Sequence, residues 1–326
     1  MTNRPLYKTA DYTIFKYDSS YKTDWNDFID RSKSATFLFH RDFMEYHQER
    51  FDDFSLMLFH SNELIAVLPA HKDGPFVYSH RGLSYGGLVF SHQTTRDVKI
   101  SSFKVLMACL KKNDVLSLEI KKFPDFYGNE FDFTDTELLT HYKIEILQQS
   151  TVLALPYHSD YTIHKTKLKR FRKLESKGFE IRTGFSEFER FWNQVLIPRL
   201  AEKHQSKPVH TLQEIEYLHG CFKDRIFQYN MYHGDDILAG ITIFNKGTVV
   251  KSQYGIATAK GEKEYALDML FVYLIRKYET DGMQYFSMGT VDDNSELGIN
   301  EGMLKQKQEL GCKTYSQDIL KIQIDD

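Results

Sequence analysis

The stretch "SLMLFHSNELIAVLPAHKDGPFVYSHRG", residues 55–82, lies over "QYNMYHGDDILAGITIFNKGTVVKSQYG", residues 228–255, without a gap. The second copy stands 173 residues after the first throughout. His60 falls on His233, Ala66 on Ala239, Gly74 on Gly247, Val77 on Val250, Ser79 on Ser252 and Gly82 on Gly255. The polar turns coincide as well, "SNE" with "GDD" and "KDG" with "NKG". In each copy an alternating strand meets a turn, a second strand follows, then a glycine-bearing turn and a third strand. The pattern predicts a three-stranded antiparallel meander, present twice.

Outward from each meander the order of elements also repeats. An amphipathic helix follows over about 94–112 in the first half and 264–280 in the second, from apolar residues at helical spacing. A strand comes next, "VLSLEI" at 115–120 and "YFSM" at 285–288. Helical material precedes each meander, at 24–31 and 41–50, then at 186–204 and 211–222. Thr211 and Glu214 have the spacing of a capping box. The expected fold class is therefore α+β (mixed α/β): two tandem domains, each a mainly antiparallel sheet flanked by helices. The join is expected near "STVLALPY" (150–157), with domains 1–155 and 156–326.

A chain of 326 residues is too long for one ordinary core and suits two. Hydrophobic residues make up 41% and charged residues 27%, which excludes a disordered chain. The formal net charge of −3 excludes a global field toward nucleic acid or membranes. Three scattered cysteines, Cys109, Cys221 and Cys312, make neither a disulfide framework nor a zinc site. The first residues lack an apolar signal core, and the longest apolar run, "MLFVYLI" (269–275), is too short to span a bilayer. A cytoplasmic protein without membrane insertion and without a metal is expected.

Two further stretches carry a resemblance. "LKRFRKLESKGFEIR" (168–182) is similar to the basic helix that opens the second half of the FemAB-type acyltransferases, with Arg172, Lys173 and Gly178 in place and Leu174 departing. "YFSMGTVDDNSELGINEGMLKQKQELGCK" (285–313) resembles the terminal motif of that family. Gly289, Asp293, Asn300, Gly302, Lys307 and Gly311 match it, while Ser287 and Met303 depart. With "SHRGLSYGGLVF" (79–90), "PVHTL" (208–212) and "QYGIATAKGEKEYALDMLF" (253–271), the chain resembles tandem GNAT-like acyltransferases over nearly its whole length.

The resemblance implies a tandem GNAT-like fold and acyl transfer from acyl-CoA, acetyl-CoA foremost, to an amine or hydroxyl of a small polar acceptor. A sugar or cell-envelope precursor is the kind of acceptor meant. It puts the donor on the second half and the acceptor on the first. The donor's phosphates would be cradled by "TAKGEKEYA" (258–266), with Lys260, Gly261 and Lys263, after a strand whose Ile256 and Ala257 line the donor. The oxyanion would meet backbone N–H groups near Tyr254–Ile256. Candidate proton-handling and charge-bearing groups are Asp292, Asp293, Tyr254 and Lys307. Candidate acceptor contacts are His80, Arg81, Tyr85, Gly86, Arg172, His210 and Asn300.

Each of these has a plainer reading: "VDDNS" as a solvated turn, Gly86–Gly87 as a bulge, His210 as a helix-entry residue. Lys165, Lys167, Lys169, Arg170, Arg172, Lys173 and Lys177 form either a steering surface or a solvated helix face. Lys305 and Lys307, two apart, point to different sides of their helix, so only one faces a ligand.

Two other readings stay open. One is an aminoacyl-tRNA-dependent transferase of the peptidoglycan-bridge type, disfavoured by the lack of a long helical arm. The other is a non-catalytic binding protein on a transferase fold. Nucleic acid is expected as a partner only in the first of these.

Overall fold

The computed structural model describes residues 4–128, 131–172, 176–292 and 298–324. These fall into two compact units, 1–150 with 316–326, and 151–315.

In the first unit, β1 (Tyr7–Lys8), β2 (Tyr12–Lys16), β4 (Leu56–His60), β5 (Glu63–Leu68) and β8 (Val89–Phe90) form one sheet in that order. A second ladder joins β3 (Asp52–Asp53), β6 (His71–Asp73), β7 (Phe76–Tyr78) and β9 (Ser117–Lys121). β16 (Lys313–Gln323) completes that ladder, because its Ile319–Gln323 run antiparallel to Lys121–Ser117 of β9. The final strand therefore belongs with the first unit, whereas a break at 155/156 would have left it in the second. Nothing local reveals this: the pairing partner lies about 200 residues back along the chain.

Helix α1 (Lys22–Arg31), the short α2 (Arg41–Met44), α3 (Arg96–Lys112) and α4 (Thr136–His141) also belong to the first unit. α3 drives Phe103, Leu106 and Leu110, all fully buried, into a core shared with Leu56, Leu58, Leu68 and Leu118.

In the second unit the sheet order is β11 (Phe179–Thr183), β12 (Ile226–His233), β13 (Asp236–Asn245), β14 (Val249–Ala257), β15 (Tyr285–Thr290) and then the last residues of β10 (Ile144–Pro156). β13 is buried from Ile237 to Phe244, as a near-continuous apolar strand covered on both faces must be. One face receives α10 (Ala266–Thr280), whose Met269, Leu270, Leu274 and Ile275 are buried. Against β13 also lie α6 (Ser186–Phe191) and a π-turn (Trp192–Leu196), which runs on into α7 (Ile197–His204). Phe191 packs so tightly there that a Cβ on Gly240 of β13 would collide with its ring. The remaining helices are α5 (Lys165–Phe171), α8 (Leu212–Cys221), α9 (Ala259–Lys263) and α11 (Glu301–Glu309). The capping box at Thr211 and Glu214 is present and opens α8.

The repeat extends to the register of the strands. β4 and β5 carry a bulge between Leu58 and Phe59, and β12 and β13 carry one between Met231 and Tyr232, 173 residues on. His71↔Tyr78 and Lys72↔Val77 in the first unit correspond to Phe244↔Lys251 and Asn245↔Val250 in the second. The parallel rungs correspond too: Phe76↔Ser117, Val77↔Leu118 and Tyr78↔Glu119 against Val249↔Tyr285, Val250↔Phe286 and Lys251↔Ser287.

The two units then diverge. Ala66 pairs with Phe90, 24 residues on, whereas Ala239 pairs with Ala257, 18 residues on. The first unit thus holds six more residues. They interrupt its third strand into β7 and β8, where the second unit has the single strand β14.

Candidate functional site

Past the rung Lys251↔Ser287, β14 and β15 stop pairing with each other. β14 stays with β13 as far as Ala257, and β15 stays with β10, where Thr290 pairs with Val152. Two parallel strands that each follow an outer neighbour must part. The gap is a cleft of about 370 Å³. Its walls include Ser252–Ile256 from β14, Met288–Thr290 from β15, Leu267 and Phe271 from α10, and Met303, Gln306 and Lys307 from α11. Leu196 and Leu200 approach from the π-turn and α7, a contribution no sequence signal pointed to.

Lys307 is buried, and its ammonium donates to the Thr290 carbonyl at 2.8 Å. Loss of solvation pushes its pKa down to about 8, with Cys312 and Asp292 acting weakly the other way. Lys305, two residues earlier, is exposed. The helix thus turns one lysine into the cleft and the other to water, as the spacing required.

Tyr254 enters the cleft lining from β14. Its hydroxyl lies 2.6 Å from His210 Nδ1 and accepts from the His210 backbone N–H at 3.2 Å. Burial pushes the phenol up to about 12, so it keeps its proton at neutral pH. His210 is buried, and its carbonyl accepts from Trp192 Nε1 at 3.1 Å. Trp192 also meets the Tyr254 ring edge-on. The π-turn places this indole, and only its context, not its sequence, marks it.

A smaller pocket of about 240 Å³ adjoins the cleft through Gly255, Ile256, Leu267 and Gln306. Ala257, Gly261, Glu262, Tyr265 and Asp268 complete it. Ile256, Ala257 and Gly261 are thus brought to one place. Gly261 is required by close approach: a Cβ there would run into the Leu238 carbonyl. Thr258 caps α9 by accepting from Gly261 N–H at 3.0 Å.

Lys260 and Lys263 are not among the lining residues of this pocket or of the cleft. Lys260 instead pairs with Asp236 at 2.6 Å on the next strand. Cations approach from elsewhere. Arg199 of α7 donates to the Ala257 carbonyl at 3.0 Å and pairs with Glu262 at 2.7 Å. Lys167 and Arg170 of α5 both reach Asp268 Oδ2, at 2.9 and 3.0 Å, and Gln306 donates to its Oδ1 at 3.0 Å. Arg170 lies over the Tyr265 ring, 3.4 Å from its centroid. Part of the basic run is therefore an internal clamp rather than a solvated face.

The remaining expected residues of this unit scatter. Asp292 is exposed and its carboxylate accepts from the Thr151 N–H at 3.0 Å. Asp293 lies outside the described residues. The Asn300 side chain caps α11, accepting from Met303 N–H at 2.9 Å. Arg172 is exposed at the end of α5.

In the first unit, a pocket of about 450 Å³ opens beyond the equivalent rung, Tyr78↔Glu119. His80 and Arg81 line it with Tyr78, Ser79, Glu119 and Lys121. Arg81 holds Glu119 through two nitrogens, at 3.3 and 3.1 Å, and stacks on Tyr78. His80 is buried at a left-handed φ of +58° and packs against His47, His71 and Phe51. Burial, with His47 and His71 nearby, pushes its pKa down to about 3.

Tyr85 and Gly86 do not join that pocket's lining. Tyr85 is buried against Phe123 and donates to Thr36 Oγ1 at 2.8 Å. The Gly86 N–H donates to the Lys121 carbonyl at 2.7 Å, and a Cβ there would strike the Ser79 carbonyl. The inserted residues thus fold back between the parted strands and are held there by packing.

Among the described residues, no cluster of His, Cys, Asp or Glu could hold a metal ion, and no helix is long and apolar enough to cross a membrane.

Residues 162–296, all within the second unit, match the family model described as acetyltransferase (GNAT) domain. No curated protein matches the sequence. Among solved structures, that of FemX is similar with a TM-score of 0.67 at 9% identity, covering 94% of this chain and 96% of that one. A second is the C-terminal domain (DUF2156) of a putative lysylphosphatidylglycerol synthetase from Agrobacterium fabrum. It has a TM-score of 0.59 at 10% identity, covering 94% of this chain and 92% of that one. L-PGS from Bacillus licheniformis reaches a TM-score of 0.57 at 12% identity, covering 95% and 93%. At such identities the likeness is one of fold. The expected similarity to FemAB-like and GNAT acyltransferases is thus found in the sequence of the second unit and in the fold.

Proposed function

We propose that this chain is an acyltransferase that holds an activated acyl group in the cleft between β14 and β15. The observation that carries the reading is the parting of these strands around Tyr254 and Lys307. A carbonyl placed there meets backbone N–H groups freed from the lost ladder, together with the buried ammonium of Lys307. An acceptor amine or hydroxyl attacks the acyl carbon, the bond to the leaving group breaks, and the Tyr254 hydroxyl supplies its proton. The proton shed by the acceptor returns to Tyr254 by way of the His210 ring, 2.6 Å from its hydroxyl. No covalent enzyme intermediate is needed for this route.

The donor in this reading is an acyl-CoA, acetyl-CoA foremost, with its phosphates toward Gly261 and the N-terminus of α10. Arg170 and Arg199, each paired with a carboxylate that lines this pocket, are cationic aids beside it, whereas Lys260 and Lys263 do not line it. Arg81, in the first unit's pocket, is the candidate holder of a small polar acceptor.

A second reading has one observation in its favour. Glu262 and Asp268 line the pocket where a pyrophosphate would sit, and the loop lysine Lys260 is engaged elsewhere. An aminoacyl donor, such as the fold shared with FemX suggests, makes less demand for positive charge there. Titration calorimetry with CoA and acetyl-CoA separates the two. Micromolar binding supports the first reading. No binding at millimolar concentration, with transfer abolished by RNase, supports the second.

A further inference from the structure

We propose that Lys307 is an acylation site: an acyl-CoA bound in the second unit's cleft transfers its acyl group to the Lys307 amine when no acceptor is present. The inference rests on the acyl-CoA reading of that cleft. Its basis is the surroundings of one side chain. Lys307 lines the cleft and is 7% exposed. Its hydrogen bond is to a neutral carbonyl, Thr290, and the charge of Asp292, exposed at the end of the neighbouring strand, compensates it less than burial destabilises it. Leu310, Met288, Phe271 and Leu267 surround the same space with apolar groups. An ammonium so poorly compensated gives up its proton readily. Near pH 8 about half of the molecules then carry a free amine there, where an ordinary lysine at 10.5 carries almost none.

The step balances without another reactant. The Lys307 nitrogen lone pair attacks the thioester carbonyl, the carbon–sulfur bond breaks, and the amine proton passes to the departing thiolate, releasing CoA. The product amide keeps one N–H, which can still donate to the Thr290 carbonyl. The positive charge in the cleft is lost and the acyl group fills the space, so the modified chain is silenced. Lys305 serves as the internal control, since it lies on the same helix and faces water.

The test is peptide mass spectrometry after incubating the purified chain with acetyl-CoA alone, at pH 7 and pH 9. Lys307 acetylation is expected to exceed that of Lys305 by at least about tenfold and to rise about tenfold between the two pH values. Excess CoA should suppress it. Acetyl phosphate, which needs no CoA site, should instead mark exposed lysines. Lys307→Arg should remove the signal, while Lys305→Arg, on the exposed side of the same helix, should leave it unchanged. If acetyl-CoA binds and Lys307 stays unmodified, this inference falls and the cleft assignment stands. If acetyl-CoA neither binds nor modifies, both fall. Equal labelling of Lys305 and Lys307, unaffected by CoA, also overturns the inference.

Discussion

The hydroxyl of Tyr254 sits 2.6 Å from Nδ1 of His210, across 44 residues of chain, and both groups are held by the same indole, Trp192. A phenol kept protonated by burial and backed by an imidazole is a proton donor with its own resupply. Tyr254→Phe keeps the ring packing and removes the proton. Turnover should fall about 10²-fold with little change in donor affinity. His210→Ala should lower turnover less and shift its pH profile. A Tyr254→Phe enzyme with full activity would remove this residue from the mechanism.

Lys307 sets function against stability. Its pKa falls from 10.5 to about 8 on folding, so the folded state binds fewer protons than the unfolded state between those values. Stability from this group therefore rises with pH through that window, and its full burden of about 3 kcal/mol is present below pH 8. Lys307→Met should raise the melting temperature at pH 7, and the gain should shrink toward pH 10. Loss of the Thr290 hydrogen bond offsets about 1 kcal/mol of it. The same variant should lose activity. In the intact enzyme, turnover should decline above about pH 8, as the ammonium is lost.

Asp268 clamps two cations from α5, one of them Lys167, which is 3% exposed. Asp268→Asn leaves the buried Lys167 ammonium with Glu309 alone, 3.3 Å away, so the cost should fall short of the about 3–5 kcal/mol of a fully orphaned buried charge. Chemical denaturation should show that loss. Lys167→Met combined with Asp268→Asn should recover part of it, and strict additivity of the two changes would argue against the clamp.

Gly261 can be tested by its missing atom. Gly261→Ala drives a methyl into the Leu238 carbonyl, so α9 must move away from β13. A loss of about 1–3 kcal/mol is expected, together with weaker donor binding. Unchanged affinity for acetyl-CoA would separate this loop from the donor.

The first unit should be the acid-sensitive one. The unfolded chain protonates His80 near 6.5, while the buried ring resists until about 3. The unfolded state then binds more protons across that window, so stability is lost as the pH drops through it, at up to about 1.4 kcal/mol per unit. His80→Asn tolerates the left-handed backbone and should flatten the slope.

Whereas the first unit's meander is split between two sheets, β4–β5 in one and β6–β7 in the other, the second unit's meander, the order of elements, the helices that follow and the division of labour between Lys305 and Lys307 were legible in the sequence. They rest on periodicity and turn chemistry, which act within about 20 residues of chain. Even the bulges at Leu58/Phe59 and Met231/Tyr232 obey the repeat read from the letters alone. Tertiary structure decided what is long-range. It assigned β16 to the first unit through β9, placed Trp192 behind His210, and set Arg170 rather than Lys260 beside the pocket. It also decided how the first unit's parted strands are filled. Six inserted residues carry Tyr85 into a core and Gly86 onto a carbonyl, although both read locally as candidates for ligand contact. The reason is the same each time. A residue's neighbours in sequence set its backbone conformation, but its chemistry depends on burial and on partners that distant strands bring to it.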